Sequence, residues 1–502
     1  MRILIIQTAF AGDALLASAF VQDISERYPV AAIDILLRRG NEALFIGNPA
    51  ISRIWTWQKE KAKYRNLVRL ARQLRDERFD RVYNLQRYAA TGFLTWRTGA
   101  SFRAGFAQNP FARCYHHAVS HQIPWPSAEG QFLHEVQRNR QLLETGPAPL
   151  RRPVLVLGAD DHEQAEKLLD GRPTIVIAPA SRWFTKQWPE EHWASLLALL
   201  PAELRVVIVG GSDDRALGDR LAKAHPDAVN ACGKLDFRAS AAVMQRAWQV
   251  FANDSLPVHL ASAVNAPCTV VFCSTDPILG FGPLSDDAET VQSPTPCCSP
   301  GLHGAKSCQA GHFRCAMEIQ PEKLVASRRA IWQAALALRH GEAISLIHGD
   351  TRRLAVLATN DKGVQEHGLS KGEAQLWFQN DAMVKTHAAD GGPAWQRVLA
   401  VHRESPARLS MPLKPSIAPM LQRASLDVAR NSQWQTLIRC AGAPVAVRPA
   451  KPGETLPSTT LELSVLPSPA ALHLVWDGSA WQVQEDAPTR DAFQPWVAAA
   501  AT

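Results

Sequence analysis

Asp13 stands directly after a glycine and at the end of an uncharged apolar run, Ile3 to Ile6. That run reads as a strand of a parallel sheet covered on both faces. From Ala14 onward, Leu15, Leu16, Ala19, Phe20 and Ile24 recur at helical spacing. Gly12 tolerates dihedrals and a backbone approach that a Cβ would block. Asp13 is therefore expected at the carboxyl end of the first strand and the start of a helix, where open α/β sheets hold ligands. A carboxylate there can act as a general base, beside helix amides and a positive dipole end suited to an anion. The competing expectation is that Asp13 only caps the helix.

Two later stretches carry complementary chemistry. Ala180 to Pro189 separates an expected strand, Thr174 to Ala178, from an expected helix, Trp188 to Leu200. Ser181, Thr185 and Lys186 in it suit phosphate oxygens. An ammonium at Lys186 can meet the charge that develops on a departing diphosphate. The alternative is a surface lysine beside a capping Thr185. Phe251 to His259 again joins an apolar stretch to a helix, expected over Pro257 to Val264. In its Asn253-Asp254-Ser255 run, Asp254 can bind sugar hydroxyls and Ser255 a phosphate, with His259 one turn on, on the side of Ser255. The plainer alternative is an Asp or Ser cap with His259 packed in the core.

Holding these stretches in place takes a large scaffold. At 502 residues the chain is too long for one ordinary core, and two or three domains are expected. A net charge of +7 suits an acidic partner: nucleic acid, an anionic lipid headgroup or a phosphorylated small molecule. The first apolar run is too short for a signal peptide, and no apolar segment approaches the roughly 20 residues that span a bilayer. A cytoplasmic protein in contact with a membrane surface is the expectation. Further strands are expected at Ala32 to Leu37, Ile51 to Trp57 and Arg81 to Leu85. Between the last two, Lys59 to Arg81 reads as a densely basic helix. It is either a solvated face or, through Lys59, Lys61, Lys63 and Arg65, a basic rim for a phosphorylated or lipid-linked acceptor.

A helix over Gln131 to Leu143 and the prolines beyond it close a first unit. The same pattern then repeats through strands at Arg205 to Val209 and Thr269 to Phe272 and a helix at Ala239 to Ala247. Pro321 to Leu338 reads as a last helix. Two such domains in tandem would set a cleft between the carboxyl ends of two sheets. The expected boundaries are 1–155, 156–338 and 339–502. In the last segment, Thr459 to Val465 and Leu472 to Trp476 look like strands, and Trp476 to Trp481 a hairpin turn. About 398 to 456 reads as loop-rich, and Ala498 to Thr502 as a frayed end.

Taken in order, Gly12-Asp13, Ser181 to Pro189, Asn253-Asp254-Ser255 through His259, Thr275-Asp276-Pro277 with Gly282-Pro283, and the cysteine-containing stretch 297–315 resemble the lipopolysaccharide heptosyltransferase family. The likeness is greatest to the enzymes that add the second core heptose and covers roughly residues 1–338. It implies two Rossmann-like domains of the GT-B type facing a cleft, an acceptor-side one first and a donor-side one second. It also implies inverting transfer from ADP-L-glycero-D-manno-heptose to a lipid A–inner-core acceptor, with no required metal and no nucleic-acid partner. The resemblance assigns Asp13 as the base. It sets Lys186, Ser255 and His259 near the donor diphosphate and Asp254 near the heptose hydroxyls. One departure stands out: Leu256 occupies a position that is usually glycine in the family.

Rival expectations are transfer of another nucleotide sugar, or a carbohydrate-binding or scaffold protein with a decayed donor site. A paired-carboxylate hydrolase fits less well, since no second acid stands out as a proton donor. Cys297, Cys298, Cys308 and Cys315 are either reduced structural cysteines or metal ligands, and their spacing does not match the paired CxxC pattern.

Overall fold

The computed structural model describes residues 1–60, 62–123, 133–143, 150–295, 303–348, 351–367, 369, 375–378, 383, 407–410, 416, 425–428, 432–451, 454–462, 472–476 and 481–484. The chain divides into two compact units, Met1–Leu324 and Val325–Thr502.

The first unit holds two α/β lobes. In the first lobe the order is β1 (Arg2–Gln7), α1 (Ala11–Arg27), β2 (Ala32–Arg38), β3 (Arg53–Trp57), α2 (Lys63–Asp76), β4 (Arg81–Asn84), α3 (Ala89–Arg97), β5 (Phe102–Phe106) and β6 (His117–Val119), then the short α4 (Glu135–Arg140). Its six strands lie in the order β3-β2-β1-β4-β5-β6, all parallel. The second lobe runs α5 (Ala159–Leu169), β7 (Thr174–Ala178), α6 (Glu190–Leu199), β8 (Arg205–Ile208), α7 (Arg215–Leu221), β9 (Ala228–Asn230), α8 (Phe237–Arg246), β10 (Gln249–Asn253), α9 (Leu256–Ala263), β11 (Cys268–Phe272) and β12 (Ala288–Gln292). Its parallel order, β12-β11-β10-β7-β8-β9, repeats that of the first lobe.

Alternation along β1 builds both layers of the first lobe. Ile3 and Ile5 join the core under α1, whereas Leu4 and Ile6 face Leu67, Leu70, Ala71 and Leu74 of α2. Those four positions are one stripe of α2, and Arg65, Arg69 and Arg72 are exposed on its other side. Helix α1 is buried almost all round, because it meets the sheet on one side and α4 and α9 on the other. One continuous apolar core thus runs from Phe20 in α1 to Val258 in α9, and the two lobes share it.

Several expected boundaries shift. Helix α1 begins at Ala11 rather than Ala14. The basic helix covers Lys63–Asp76, not Lys59 to Arg81; left-handed Ala62 and Arg78 bound it, turning the chain from β3 and into β4. The expected helix at Gln131 to Leu143 is α4 plus a 3-10 turn, Gln141–Leu143, with residues 131 and 132 outside the described residues. Pro321 to Leu338 is two helices, Pro321–Val325 and Arg329–Arg339, broken where buried Arg328 turns its guanidinium to Thr436. The second of them packs beside helix Ser432–Ala441 of the second unit.

The second unit is built on a nine-stranded mixed sheet. Its strands are β13 (Ile344–His348), β14 (Thr351–Leu357), β15 (Gln375–Phe378), β16 (Ala407–Ser410), β17 (Ser425–Val428), β18 (Val445–Pro449), β19 (Thr460–Glu462), β20 (Leu472–Trp476) and β21 (Trp481–Gln484). In the stretch 398–456, read from the sequence as loop-rich, the described residues include four regular elements, and most of the remaining positions lie outside the described residues. β16, β17, the helix Ser432–Ala441 and β18 all fall there, and Val445, Ala446 and Val447 are buried between β14 and β15. These elements are too short for periodicity to reveal. Trp476 and Trp481 pair across β20 and β21 as a hairpin requires; Asp477 to Ala480 and Ala498 to Thr502 lie outside the described residues.

Candidate active site

In each sheet the chain leaves its first strand toward one edge and later returns to that strand's other side, so β1/β4 and β7/β10 are topological switch points. Ligands of open α/β sheets bind at the carboxyl ends of strands at such points. Both switch points open onto one cavity of about 850 Å³, lined by Phe10, Gly12 and Asp13 from the first lobe and by Ser181, Lys186 and Asp254 among others from the second. This size is in the range of small-molecule sites.

Phe10, not Asp13, occupies the N-cap of α1, and its side chain makes no cap hydrogen bond. The acid instead lies in the first turn and faces the cavity. Burial lifts its pKa to about 7, with help from the negative charge of Glu135; Lys186, Arg87 and its own backbone amide pull the other way. A carboxylate held there is half ionised near neutrality and is a far stronger base than an ordinary aspartate.

Gly12 is required by close approach rather than by dihedral freedom, because it is not among the residues with positive φ. A Cβ on it would lie 3.1 Å from Cδ2 of His259, so this glycine is where α1 meets α9 of the other lobe. His259 is 5% exposed and lines the cavity. Burial first, then the charges of His134 and Lys186, push its pKa down to about 4 against the pull of Asp254. At neutral pH the ring is uncharged and offers one N–H.

Lys186 and Asp254 come together across the second switch point. The Lys186 Nζ donates to Asp254 Oδ2 at 2.6 Å, and the Thr275 hydroxyl donates to the same oxygen at 2.7 Å. Both charged side chains are nearly buried, at 12% and 7% exposure. Ser255 lines the cavity at the start of α9, with its hydroxyl on the carbonyls of Ala180 and Asn253 at 3.3 Å. Leu256, the first residue of α9, lines it too. Ser181 is a lining residue whose carbonyl accepts from Gln187 Nε2.

Other expected site residues are placed elsewhere. Thr185 is buried below the cavity: its oxygen accepts from Ser274 Oγ at 2.8 Å and from the Ala305 amide at 2.7 Å, clamping the 303–305 loop. Asn253 is fully buried and ties the two loops together, accepting from the Trp188 amide at 3.0 Å and donating to the Pro179 carbonyl. Lys59 donates to the Thr8 carbonyl at 2.5 Å and lies over the Trp57 ring, with burial, Arg38 and Lys63 lowering its pKa to about 8. Lys63 and Arg65 are exposed on α2, and neither they nor Lys59 line the cavity. Lys61 lies outside the described residues, as do Cys297 and Cys298. Cys308 is half-buried and Cys315 buried, and among the described residues no three His, Cys, Asp or Glu side chains are arranged to hold a metal.

Sequence reasoning missed the surroundings of the acid. Glu135 opens α4, buried beside His121 at 3.0 Å and Arg138 at 2.9 Å. Burial alone would raise its pKa, but these two partners hold it at about 2. Fixed as an anion and not among the residues that line the cavity, Glu135 is not placed to donate a proton to a bound substrate. Phe10, also missed, is sandwiched between the guanidinium groups of Arg38 and Arg182 at 5.0 and 4.3 Å. The i,i+3 spacing of Glu135 and Arg138 is a signal for a helical ion pair, but it carries none for the effect of Glu135 on Asp13.

Glycosyltransferase family 9 (heptosyltransferase) matches residues 67–311. Lipopolysaccharide heptosyltransferase 1 of Pseudomonas aeruginosa is 28% identical over 292 residues, 55% of this chain and 80% of that protein. Lipopolysaccharide heptosyltransferase 3 of Escherichia coli is 26% identical over 54% of this chain and 82% of its own. The solved structure of E. coli ADP-heptose LPS heptosyltransferase II superposes with a TM-score of 0.55 at 20% identity, covering 66% of this chain and 98% of that one. A glycosyltransferase family 9 structure from Veillonella parvula gives 0.56 at 18%, covering 65% and 96%. These two likenesses carry the fold: paired Rossmann-like lobes facing a cleft, followed by an extension that they do not reach. On the family match over residues 67–311 and these relatives together, the chain resembles the heptosyltransferases of glycosyltransferase family 9.

Proposed function

We propose that the protein is an inverting glycosyltransferase that moves L-glycero-D-manno-heptose from ADP-L-glycero-D-manno-heptose to the inner core of lipopolysaccharide, at the cytoplasmic face of the inner membrane. The observation that supports this reading best is the placement of Asp13, with its pKa lifted to about 7, in the same cavity as the Lys186–Asp254 pair and the start of α9. The names of the relatives supply the sugar and the acceptor; the cavity supplies the chemistry.

In this reading the acceptor hydroxyl attacks the anomeric carbon of the heptose from the face opposite the diphosphate. Its proton passes to the Asp13 carboxylate as the new C–O bond forms. The bond from the anomeric carbon to the phosphate oxygen breaks, and ADP leaves with the electron pair. Lys186 has N–H groups beyond the one on Asp254, and with neutral His259 and the first turn of α9 it meets the growing charge on the leaving oxygen. Asp254, held by Lys186 and Thr275, orients the sugar hydroxyls. Among the described residues no helix is long and apolar enough to cross a membrane, and contact with the lipid-linked acceptor is made from the surface.

The test is incubation with a panel of nucleotide sugars and a truncated, deacylated inner-core acceptor, read by mass spectrometry. Addition of one heptose from ADP-heptose supports the proposal. Transfer from a different nucleotide sugar replaces the donor, and donor binding without any transfer replaces the enzyme by a binding protein.

A further inference from the structure

Asp13 and Leu16 are one turn apart on the same side of α1. Leu16 and Ala19 pack on Val136 of α4, so the acid lies toward the face that α4 covers, and Glu135 directly precedes Val136. Helix α4 is fastened to the donor lobe as well. The Glu135 amide donates to the Gly280 carbonyl at 2.8 Å, Arg138 Nη2 to the Leu279 carbonyl at 2.8 Å, and His134 Nε2 lies 3.0 Å from the Gly282 carbonyl. Gly280, at φ +90°, brings its backbone so close that a Cβ would meet Arg138 and the Leu133 carbonyl. A buried ionised carboxylate needs partners, and Glu135 has two. It is nonetheless an unusual residue to bury, 6% exposed, where its charge acts on another acid.

We propose that Glu135 is a positioning residue for the transfer: its buried charge, locked by His121 and Arg138 on a helix that packs on α1 and docks to the donor lobe, adds to burial in holding Asp13 ready to take the acceptor proton. The inference rests on the reading of Asp13 as the base. The groups that act on Asp13 are Glu135 from α4, Lys186 from the loop after β7 and Arg87 from the loop after β4. The two cations favour the ionised acid, and only Glu135 among these opposes it. Glu135 in turn faces His121 and Arg138. Replacing Glu135 by a neutral isostere leaves the cations unopposed, so Asp13 becomes a weaker base.

The experiment is the pH profile of kcat/KM for heptose transfer in wild type, Glu135→Gln, Glu135→Asp and Asp13→Asn. Glu135→Gln should move the acid limb to lower pH by about one unit and lower the rate on the alkaline plateau. Glu135→Asp, which keeps the charge, should restore the limb. A limb that stays in place in a folded Glu135→Gln enzyme overturns the inference. If that variant does not fold, His121→Asn removes one donor from the carboxylate, leaves its charge less compensated and should move the limb upward; an unmoved limb there overturns it equally. Asp13→Asn with wild-type turnover would instead sink the reading of the base, whereas an inactive Asp13→Asn with an unmoved Glu135→Gln limb sinks this inference alone.

Discussion

The Nζ of Lys186 lies 2.6 Å from Oδ2 of Asp254, and the pair bridges the loops that leave β7 and β10. Removing one member leaves a nearly buried charge without its partner, which typically costs about 3–5 kcal/mol. Lys186→Ala and Asp254→Ala should each lower the melting temperature clearly, and the double variant should fall well short of the sum. Additive losses in that cycle would mean that the pair is not coupled. Transfer should drop in all three variants, since each removes a group that lines the cavity proposed to hold the donor.

With Asp13 as the proposed base, activity and stability should both depend on pH, in opposite directions. As a base it works only when ionised, so transfer should rise with pH through about 7. For stability, the folded acid binds its proton more tightly than the unfolded one, whose pKa stays near 3.8. Between those values the native state holds more protons than the unfolded state, and stability falls as pH rises from about 4 to about 7. Asp13→Asn should therefore raise the melting temperature at pH 8, with the gain disappearing near pH 4. An equal effect at both pH values would mean that the acid is not perturbed by the fold.

Gly12→Ala drives a methyl to within 3.1 Å of the His259 ring. Either the ring shifts or the lobes part slightly, and overpacking of this kind typically costs about 1–3 kcal/mol. The variant should lose transfer activity by more than its stability loss explains, because both Asp13 and His259 adjoin the contact. Unchanged kcat would show that the Gly12–His259 approach is not needed for the reaction.

Leu256 puts an isobutyl group at the cavity edge where α9 begins. Leu256→Gly should lower the KM for the nucleotide sugar by clearing the approach of the diphosphate, at a cost of about 1 kcal/mol in helix stability. Initial rates at varied donor concentration check this. An unchanged KM would place the leucine away from the donor.

The strands that carry the site were legible because their burial is two-sided. β1, β7 and β11 each carry an unbroken apolar run, Ile3 to Ile6, Ile175 to Ala178 and Val270 to Phe272, and the acid after β1 and the Lys186 and Asp254 to His259 stretches after the switch-point strands fall where the doubled pattern put them. The edge strands β6, β9 and β12 were not legible, since they are short or partly exposed and follow no apolar pattern. Residue type also failed to give direction. Thr185 and Asn253 have the chemistry of ligands, yet both point into the protein to hold backbone groups that would otherwise be buried without partners. Glu135 was hidden for a different reason: only the return of the chain at α4 brings it to Asp13, and no local spacing encodes that crossing. In the second unit, short strands between prolines and small residues gave too little period to read, although the pairing of Trp476 with Trp481 followed from its turn.

The most direct measurement is single-turnover transfer from ADP-heptose by Asp13→Asn alongside wild type at pH 8, with donor affinity determined separately by calorimetry. The account predicts a loss of about 100-fold or more in the rate of the chemical step with donor affinity largely kept. Wild-type turnover in that variant would contradict it.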